Sequence, residues 1–266
     1  MWLRVEHTTT FTYSAPIVEA YTELRLRPLD VDGQRRASFR LQTEPAGVRV
    51  HEFVDHLGNG VGHFDILEPH EQLTVTATSE VITSPFLSTA QPSPLEFYDY
   101  LQPTEYAVLD EHVRAFVAGA AIDGTNAERA TALMQAVRET LVYEKGATSV
   151  QTPSPEVLRL GRGVCQDFAH VLISACRADG IPARYVSGYL YDDALADEHG
   201  ASHAWVDVYD PDRGWISLDP THGGEQTESY VRLAVGRDYA DVPPTRGVFK
   251  GTGEETLSVR VNVSAA

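Results

Sequence analysis

The chain has 266 residues, with 21 Lys and Arg against 38 Asp and Glu, a formal net charge of −17. Binding to a phosphate backbone needs clustered cations, so this balance excludes a general nucleic-acid binder and argues against docking on an anionic membrane surface. A 42% hydrophobic content supports a full core, the apolar runs fall far short of the roughly 20 residues of a membrane span, and two cysteines are too few for a disulfide scaffold.

The start, Met1-Trp2-Leu3-Arg4-Val5-Glu6, lacks the apolar run of a signal peptide, and the expected location is cytoplasmic. Over residues 1–85, short runs alternate with period two: 3–7, 9–13, 23–27, 38–42 and 73–77. Turn signals such as Asp32-Gly33 and Gly58-Asn59-Gly60 separate them, which predicts an antiparallel β-sandwich-like domain. Gly58-Asn59-Gly60-Val61-Gly62 reads as a turn and not a phosphate loop, because no helical pattern follows it. A proline-rich stretch, 86–103, reads as a linker or crossing segment. After it the period becomes helical. Val108, Val113, Phe116 and Val117 form one stripe and Ala130, Leu133, Val137 and Leu141 a second, with Thr125 and Glu128 as a capping box. Ser154-Pro155-Glu156 reads as an N-cap with a proline and an acidic first turn. Residues 104–250 form the expected α+β core, and 251–266 supply a last strand.

Chemistry concentrates around Gly161-Arg162-Gly163-Val164-Cys165-Gln166-Asp167-Phe168. Two glycines lead into a cysteine at the first turn of a helix expected over 164–179. Unpaired N–H groups and the helix dipole favour an anion there, so the position should favour a thiolate, and the same amides suit an oxyanion. A thiolate nucleophile needs a base and an orienter for it. If strands 203–209 and 215–219 pair across Asp210–Gly214, His203 lies nearly opposite Asp219. Alternation then puts His203, Trp205, Asp207, Trp215, Ser217 and Asp219 on one face and Ala204, Val206, Val208, Ile216 and Leu218 on the other. The Cys165 helix is expected over the polar face. Trp205, Trp215 and Asp207 become substrate-site candidates, although the two tryptophans suit a core role equally.

Other features read as structural. Cys176 sits on the core face of the helix about 16 Å from Cys165, beyond disulfide reach, and no Cys-x-x-Cys supports a redox role. His170 points to a different side from Cys165. His199, His203 and His222 span loop and strand without zinc spacing, and no calcium loop is present, so no metal or cofactor is expected. The acidic loop 192–202, with Asp192, Asp193, Asp197 and Glu198, fits either a solvated loop or a flap beside His203.

The segments Gly163-Val164-Cys165-Gln166-Asp167-Phe168-Ala169-His170, Gly180-Ile181-Pro182-Ala183-Arg184-Tyr185-Val186-Ser187-Gly188-Tyr189, Ser202-His203-Ala204-Trp205-Val206-Asp207-Val208 and Gly214-Trp215-Ile216-Ser217-Leu218-Asp219-Pro220-Thr221 resemble the transglutaminase-like superfamily. Asp55-His56-Leu57-Gly58-Asn59 and Gly236-Arg237-Asp238-Tyr239-Ala240-Asp241-Val242 extend the resemblance to its bacterial branch with an N-terminal β domain. The resemblance implies a papain-like core with Cys165 as nucleophile, His203 as base and Asp219 as its orienter. Cys165 N–H is the implied oxyanion donor, with Tyr143 or Gln166 as candidates for a second. It implies attack on an amide carbonyl of a protein or peptide through a thioacyl intermediate. Hydrolysis by a peptidase or amidase is favoured, and protein-glutamine acyl transfer is the alternative. A catalytically silent binding scaffold is the competing class.

Overall fold

The computed structural model describes residues 1–86, 88–120, 122–192 and 202–266. The acidic segment 193–201, with His199, lies outside the described residues. The first expected strands merge into one, β1 (Trp2–Ile17), followed by β2 (Glu19–Leu24), β3 (Gln34–Glu44), β4 (His51–Val54), β5 (Gly60–Ile66) and β6 (His70–Thr83). The strands β4 and β5 had no clear alternation to announce them. The proline-rich segment is not a plain linker. It carries a short helix, α1 (Pro94–Asp99), capped by Ser93 and Glu96.

The core then runs α2 (Glu111–Ala120), α3 (Asn126–Thr140), β7 (Val142–Tyr143), α4 (Ser154–Leu160), β8 (Arg162–Gly163) and α5 (Cys165–Ala178). It continues through β9 (Ala183–Leu190), β10 (Ser202–Asp210), β11 (Gly214–Asp219), β12 (Gly224–Glu225) and β13 (Tyr230–Gly236). The capping box of α3 forms as expected: Glu128 N–H donates to Thr125 Oγ1 at 3.2 Å and Thr125 N–H to Glu128 Oε2 at 2.9 Å. At α4 the cap position falls on Pro153, and Ser154 is already helical. The Ser154 hydroxyl is instead bonded to Ser174 at 2.7 Å.

The last strands, β14 (Thr245–Lys250) and β15 (Glu255–Ala265), return to the N-terminal domain. The segment 245–250, read from sequence as the end of the core, pairs with β2, so the core is shorter than 104–250 at that end. The sandwich therefore has one sheet ordered β15-β1-β6-β3 and another ordered β14-β2-β5-β4. Phe11, Ile17, Leu24, Phe64, Leu73 and Val75 fill the space between them. The core sheet has the order β12-β11-β10-β9-β13.

One placement differs from the sequence reading in a way that decides the site. The helix α5 packs on the apolar face of the core sheet, not the polar one. Phe168, Leu172, Val171 and Cys176 share a buried cluster with Ala204, Val206, Val208, Ile216 and Leu218. Apolar area removed from water outweighs any gain from covering a charged face.

On the opposite face, backbone and ring approach very closely. Gly188 sits across from His203 in the β9–β10 ladder, and a Cβ there would lie 2.1 Å from Val231 O and 2.4 Å from the Trp205 ring. Gly188→Ala is expected to destabilise the protein by roughly 1–3 kcal/mol, the usual range for overpacking. The readout is a lower urea midpoint at unchanged slope.

Candidate active site

The Cys165 helix begins where it does for a local reason. Asp167 Oδ2 accepts the Val164 N–H at 2.7 Å and the Thr148 hydroxyl at 2.6 Å. A Cβ at position 163 would stand 2.5 Å from that same oxygen, so the carboxylate closes over the turn only because Gly163 has none. The helical ladder starts with Asp167 N–H and Phe168 N–H donating to Val164 O at 2.9 and 3.1 Å. The N–H groups of Cys165 and Gln166 therefore lie ahead of the ladder, at the positive end of the helix.

Cys165 is half-buried and Cys176 fully buried; both are free thiols. The residue register of β10 and β11 sets Val206 opposite Leu218 and Asp210 opposite Gly214. That register makes Trp205, not His203, the position facing Asp219, and the imidazole reaches the carboxylate diagonally. His203 Nε2 donates to Asp219 Oδ2 at 2.7 Å, with both side chains buried. The other ring nitrogen is left for the thiol. Burial alone would lower the pKa of His203. Hydrogen bonds to Asp219 and Cys165, with the charges of both, overcome that and raise it to about 10. Asp219 shows the complementary effect: burial favours its neutral form, but hydrogen bonds from His203, His222 and Tyr230 hold it well below the usual carboxylate range.

Two of those partners were not singled out as site residues in the sequence. Tyr230 OH donates to Asp219 Oδ2 at 2.7 Å from β13, which is separated from β11 by two strands, β10 and β9. His222 Nδ1 reaches the same oxygen at 2.9 Å, and the N–H groups of Thr221 and His222 bond Asp219 Oδ1 at 2.8 and 3.2 Å. The Asp219-Pro220-Thr221-His222 turn signal was visible, but Tyr230 depends on a long-range strand order. His203, Asp219 and His222 bring one ligand atom each within 4.8 Å of one another. Their nitrogens are directed at Asp219 as hydrogen-bond partners.

The remaining candidates divide. Tyr143 lies beside the thiol: it pairs with Gly163, its ring centroid is 6.4 Å from that of Phe168, and burial with the charges of Cys165 and Asp167 raises its phenol pKa. The Gln166 side chain turns away to donate to Val150 O at 3.0 Å. Trp205 is fully buried, with its ring stacked on His203 at 25° and 6.1 Å between centroids. Trp215 and Asp207 are not brought to the thiol. Trp215 packs with Phe86, Tyr100 and Tyr209, and its ring carries Arg184 at 4.0 Å. Asp207 is buried and bonded to Arg232 at 2.8 and 2.6 Å, to Arg184 at 3.0 Å and to Ser217 at 2.5 Å. A cavity of about 520 Å³ at this end of the molecule includes Arg184, Arg232 and Phe86 among its walls, but none of Cys165, His203 and Asp219. His170 is buried and structural in its contacts: its Nε2 accepts Tyr239 N–H at 3.2 Å and burial lowers its pKa to about 4.

This architecture is that of a papain-like α+β core joined to a β-sandwich, and comparison with known proteins agrees. Residues 114–220 match the transglutaminase-like superfamily, and residues 3–82 match the bacterial transglutaminase-like N-terminal region. The chain belongs to the transglutaminase-like superfamily. An uncharacterised protein of Mycobacterium leprae is 37% identical over 279 residues, covering 99% of each chain. An uncharacterised protein of Mycobacterium tuberculosis is 33% identical over 288 residues, covering 98% of this chain and 91% of the other. A crystal structure of a candidate cysteine protease from Cytophaga hutchinsonii superposes with a TM-score of 0.82 at 21% identity, covering 100% of this chain and 90% of the other, and shows the shared fold.

Asp207 gives a test of the polar face that is independent of catalysis. Burial would raise its carboxyl, but the Arg232 and Arg184 guanidiniums bring it down to about 2. Its ion pairs therefore stabilise the fold above the ordinary carboxylate pKa of 3.8, and that contribution is lost as pH falls toward 2. Asp207→Ala leaves the buried Arg232 charge uncompensated, and chemical denaturation should show a loss of about 3–5 kcal/mol near neutral pH.

Proposed function

We propose that the protein is a cysteine hydrolase, a peptidase or amidase acting on protein or peptide substrates. The observation that carries the reading is the His203 imidazole, held between the Asp219 carboxylate and the Cys165 thiol with its proton affinity raised to about 10. An imidazole in that setting takes the thiol proton and keeps it, giving a thiolate–imidazolium pair.

The steps follow from that pair. Cys165 Sγ attacks the substrate carbonyl carbon, and the carbonyl oxygen becomes an oxyanion. The Cys165 N–H at the helix start receives it, with the Tyr143 hydroxyl as the second candidate donor. His203 gives its proton to the leaving amine, the C–N bond breaks, and a thioacyl-enzyme remains. Neutral His203 then takes a proton from water, whose oxygen attacks the thioester and releases the acid and Cys165. Throughout, Asp219 holds the ring by Nε2 and stabilises its charged form. Acyl transfer replaces the water with an amine. That reading draws support from a protein-glutamine gamma-glutamyltransferase of Pseudomonas aeruginosa, 35% identical over 100 residues covering 34% of this chain and 15% of the other.

Iodoacetamide with mass mapping tests the pair. At pH 7 Cys165 should react far faster than Cys176, whose thiol burial pushes well up. His203→Ala should slow Cys165 labelling by about 10-fold or more. Equal labelling in both proteins removes the basis for the pair. The acid step has its own signature: because leaving-amine protonation needs imidazolium, amide turnover should decline as pH rises through about 10, while labelling does not. A peptide amide offered with and without hydroxylamine separates the two acceptors. Acid as the main product in both arms supports hydrolysis, and hydroxamate as the main product supports transfer.

A further inference from the structure

The sandwich and α1 carry exposed apolar side chains of their own, such as Val54, Leu95 and Val248, but within the core those left in water gather around Cys165. Between residues 104 and 244, five are strongly exposed among the described residues, and four stand on segments that flank Cys165. These are Val142 at 65% exposure, Tyr143 at 48%, Val150 at 53% and Leu160 at 42%; the fifth is Ile122. Val142 and Tyr143 pair with Arg162 and Gly163, immediately before the helix. Leu160 ends α4 just ahead of the same turn, and Val150 O holds the Gln166 side chain. Scattered exposed apolar residues are ordinary, but a concentration at one place marks a contact surface.

Among the described residues, the backbone there has a free edge. The strand β7 has β8 as its neighbour in a two-stranded parallel sheet. Val142 N–H donates to Gly161 O at 3.0 Å and Glu144 N–H to Gly163 O at 2.9 Å. In a parallel ladder the residue between those two directs its own N–H and C=O to the other side. Tyr143 therefore offers one donor and one acceptor on the outer edge of β7, two residues in register from the nucleophile. An unpaired edge with apolar side chains around it is the surface to which an extended peptide adds.

We propose that the acyl half of the substrate is an extended peptide that pairs with Tyr143 N–H and C=O on the β7 edge and lays its apolar side chains on those flanking Cys165. This rests on the reading of Cys165 as the nucleophile. An amide substrate must hold its carbonyl over Sγ, so the chain on the acyl side of that carbonyl is what passes this surface. The substrate class is then a polypeptide with an apolar residue on the N-terminal side of the attacked bond. Acidic residues there are disfavoured, because they gain nothing from apolar burial and meet the protein's net negative charge, Glu144 being already paired with Arg162 at 3.1 Å.

Peptidyl chloromethyl ketones test this without a known substrate, since Sγ displaces chloride from the methylene carbon and forms a thioether. Three dipeptidyl reagents with Leu, Gly or Asp before a common Gly are compared by mass-mapped labelling of Cys165. Each rate is taken relative to iodoacetamide on the same protein. The Leu reagent should label Cys165 about 10-fold or more faster than the Asp reagent, the scale of apolar pocket discrimination. Val142→Glu and Leu160→Glu should each collapse that ratio, and N-methylation of the peptide amide facing Tyr143 should slow labelling by about 10-fold. Flat rates across the three reagents, with iodoacetamide labelling intact, would overturn this inference alone. A Cys165 inert to every reagent would overturn the nucleophile reading and this one with it.

Discussion

The site depends on one buried carboxylate. Five hydrogen bonds converge on Asp219: three side-chain donors on Oδ2 and two backbone N–H groups on Oδ1. An ionised carboxylate taken out of water is costly unless its lone pairs are filled, and here they are. Filling them keeps Asp219 charged, and the charge in turn holds the His203 ring by one nitrogen and leaves the other for Cys165. The two shifts agree on the conditions. The Asp219 contribution is present above the ordinary carboxylate range and is lost as pH falls. The His203 contribution is complete below 6.5 and is lost as pH rises through about 10. Neutral pH lies inside both limits, so the charge state that stabilises the fold is a charged imidazole bonded to an ionised Asp219.

The rest of the core follows from the two faces of one sheet. Alternation sorts β10 and β11 into an apolar side and a polar side, and the helix bearing Cys165 takes the apolar side because burial of Phe168 and Leu172 rewards it. The polar side then holds charges that must be satisfied without the helix. Asp207 meets Arg232 and Arg184, Ser217 and Gln226 complete the set, and Arg232 stacks on Phe86 at 3.7 Å. Cys165 reaches His203 from the helix tip, at the end of the sheet where the strand begins.

Much of this was legible in the sequence because it is local. Gly163-Val164-Cys165 announces a helix start, Thr125 and Glu128 form their cap, and the 203–219 hairpin follows from its turn and period. What was not legible is long-range. Nothing near Tyr230 says that it reaches Asp219, since that requires β13 to pair with β9 and its ring to cross two strands. Asp207 and Trp215 shared a face with Asp219 in any register, which made them look like site residues, yet the face alone does not say what covers it. The return of 245–250 to β2 was likewise hidden, because strand pairing over more than two hundred residues leaves no local signal.

The N-terminal domain is tied to the site through the same strand. The edge of the core sheet, β13, is gripped by two buried amides from the sandwich. Gln34 bonds Arg232 N–H at 2.7 Å and Arg232 O at 2.8 Å, and Asn59 bonds Val235 N–H at 2.8 Å and Val235 O at 2.9 Å. These bonds replace the ladder partner that an edge strand lacks. Between the two grips the β13 register shifts by one residue, which returns Val235 to the side of Tyr230 and Trp205. The strand so fixed carries Tyr230 to Asp219 and Arg232 to Asp207, one on the carboxylate that orients His203 and one on the carboxylate behind it. The sandwich thus holds in register the strand whose Tyr230 bonds Asp219, and Gln34 and Asn59 are joined to that carboxylate through β13 without touching it.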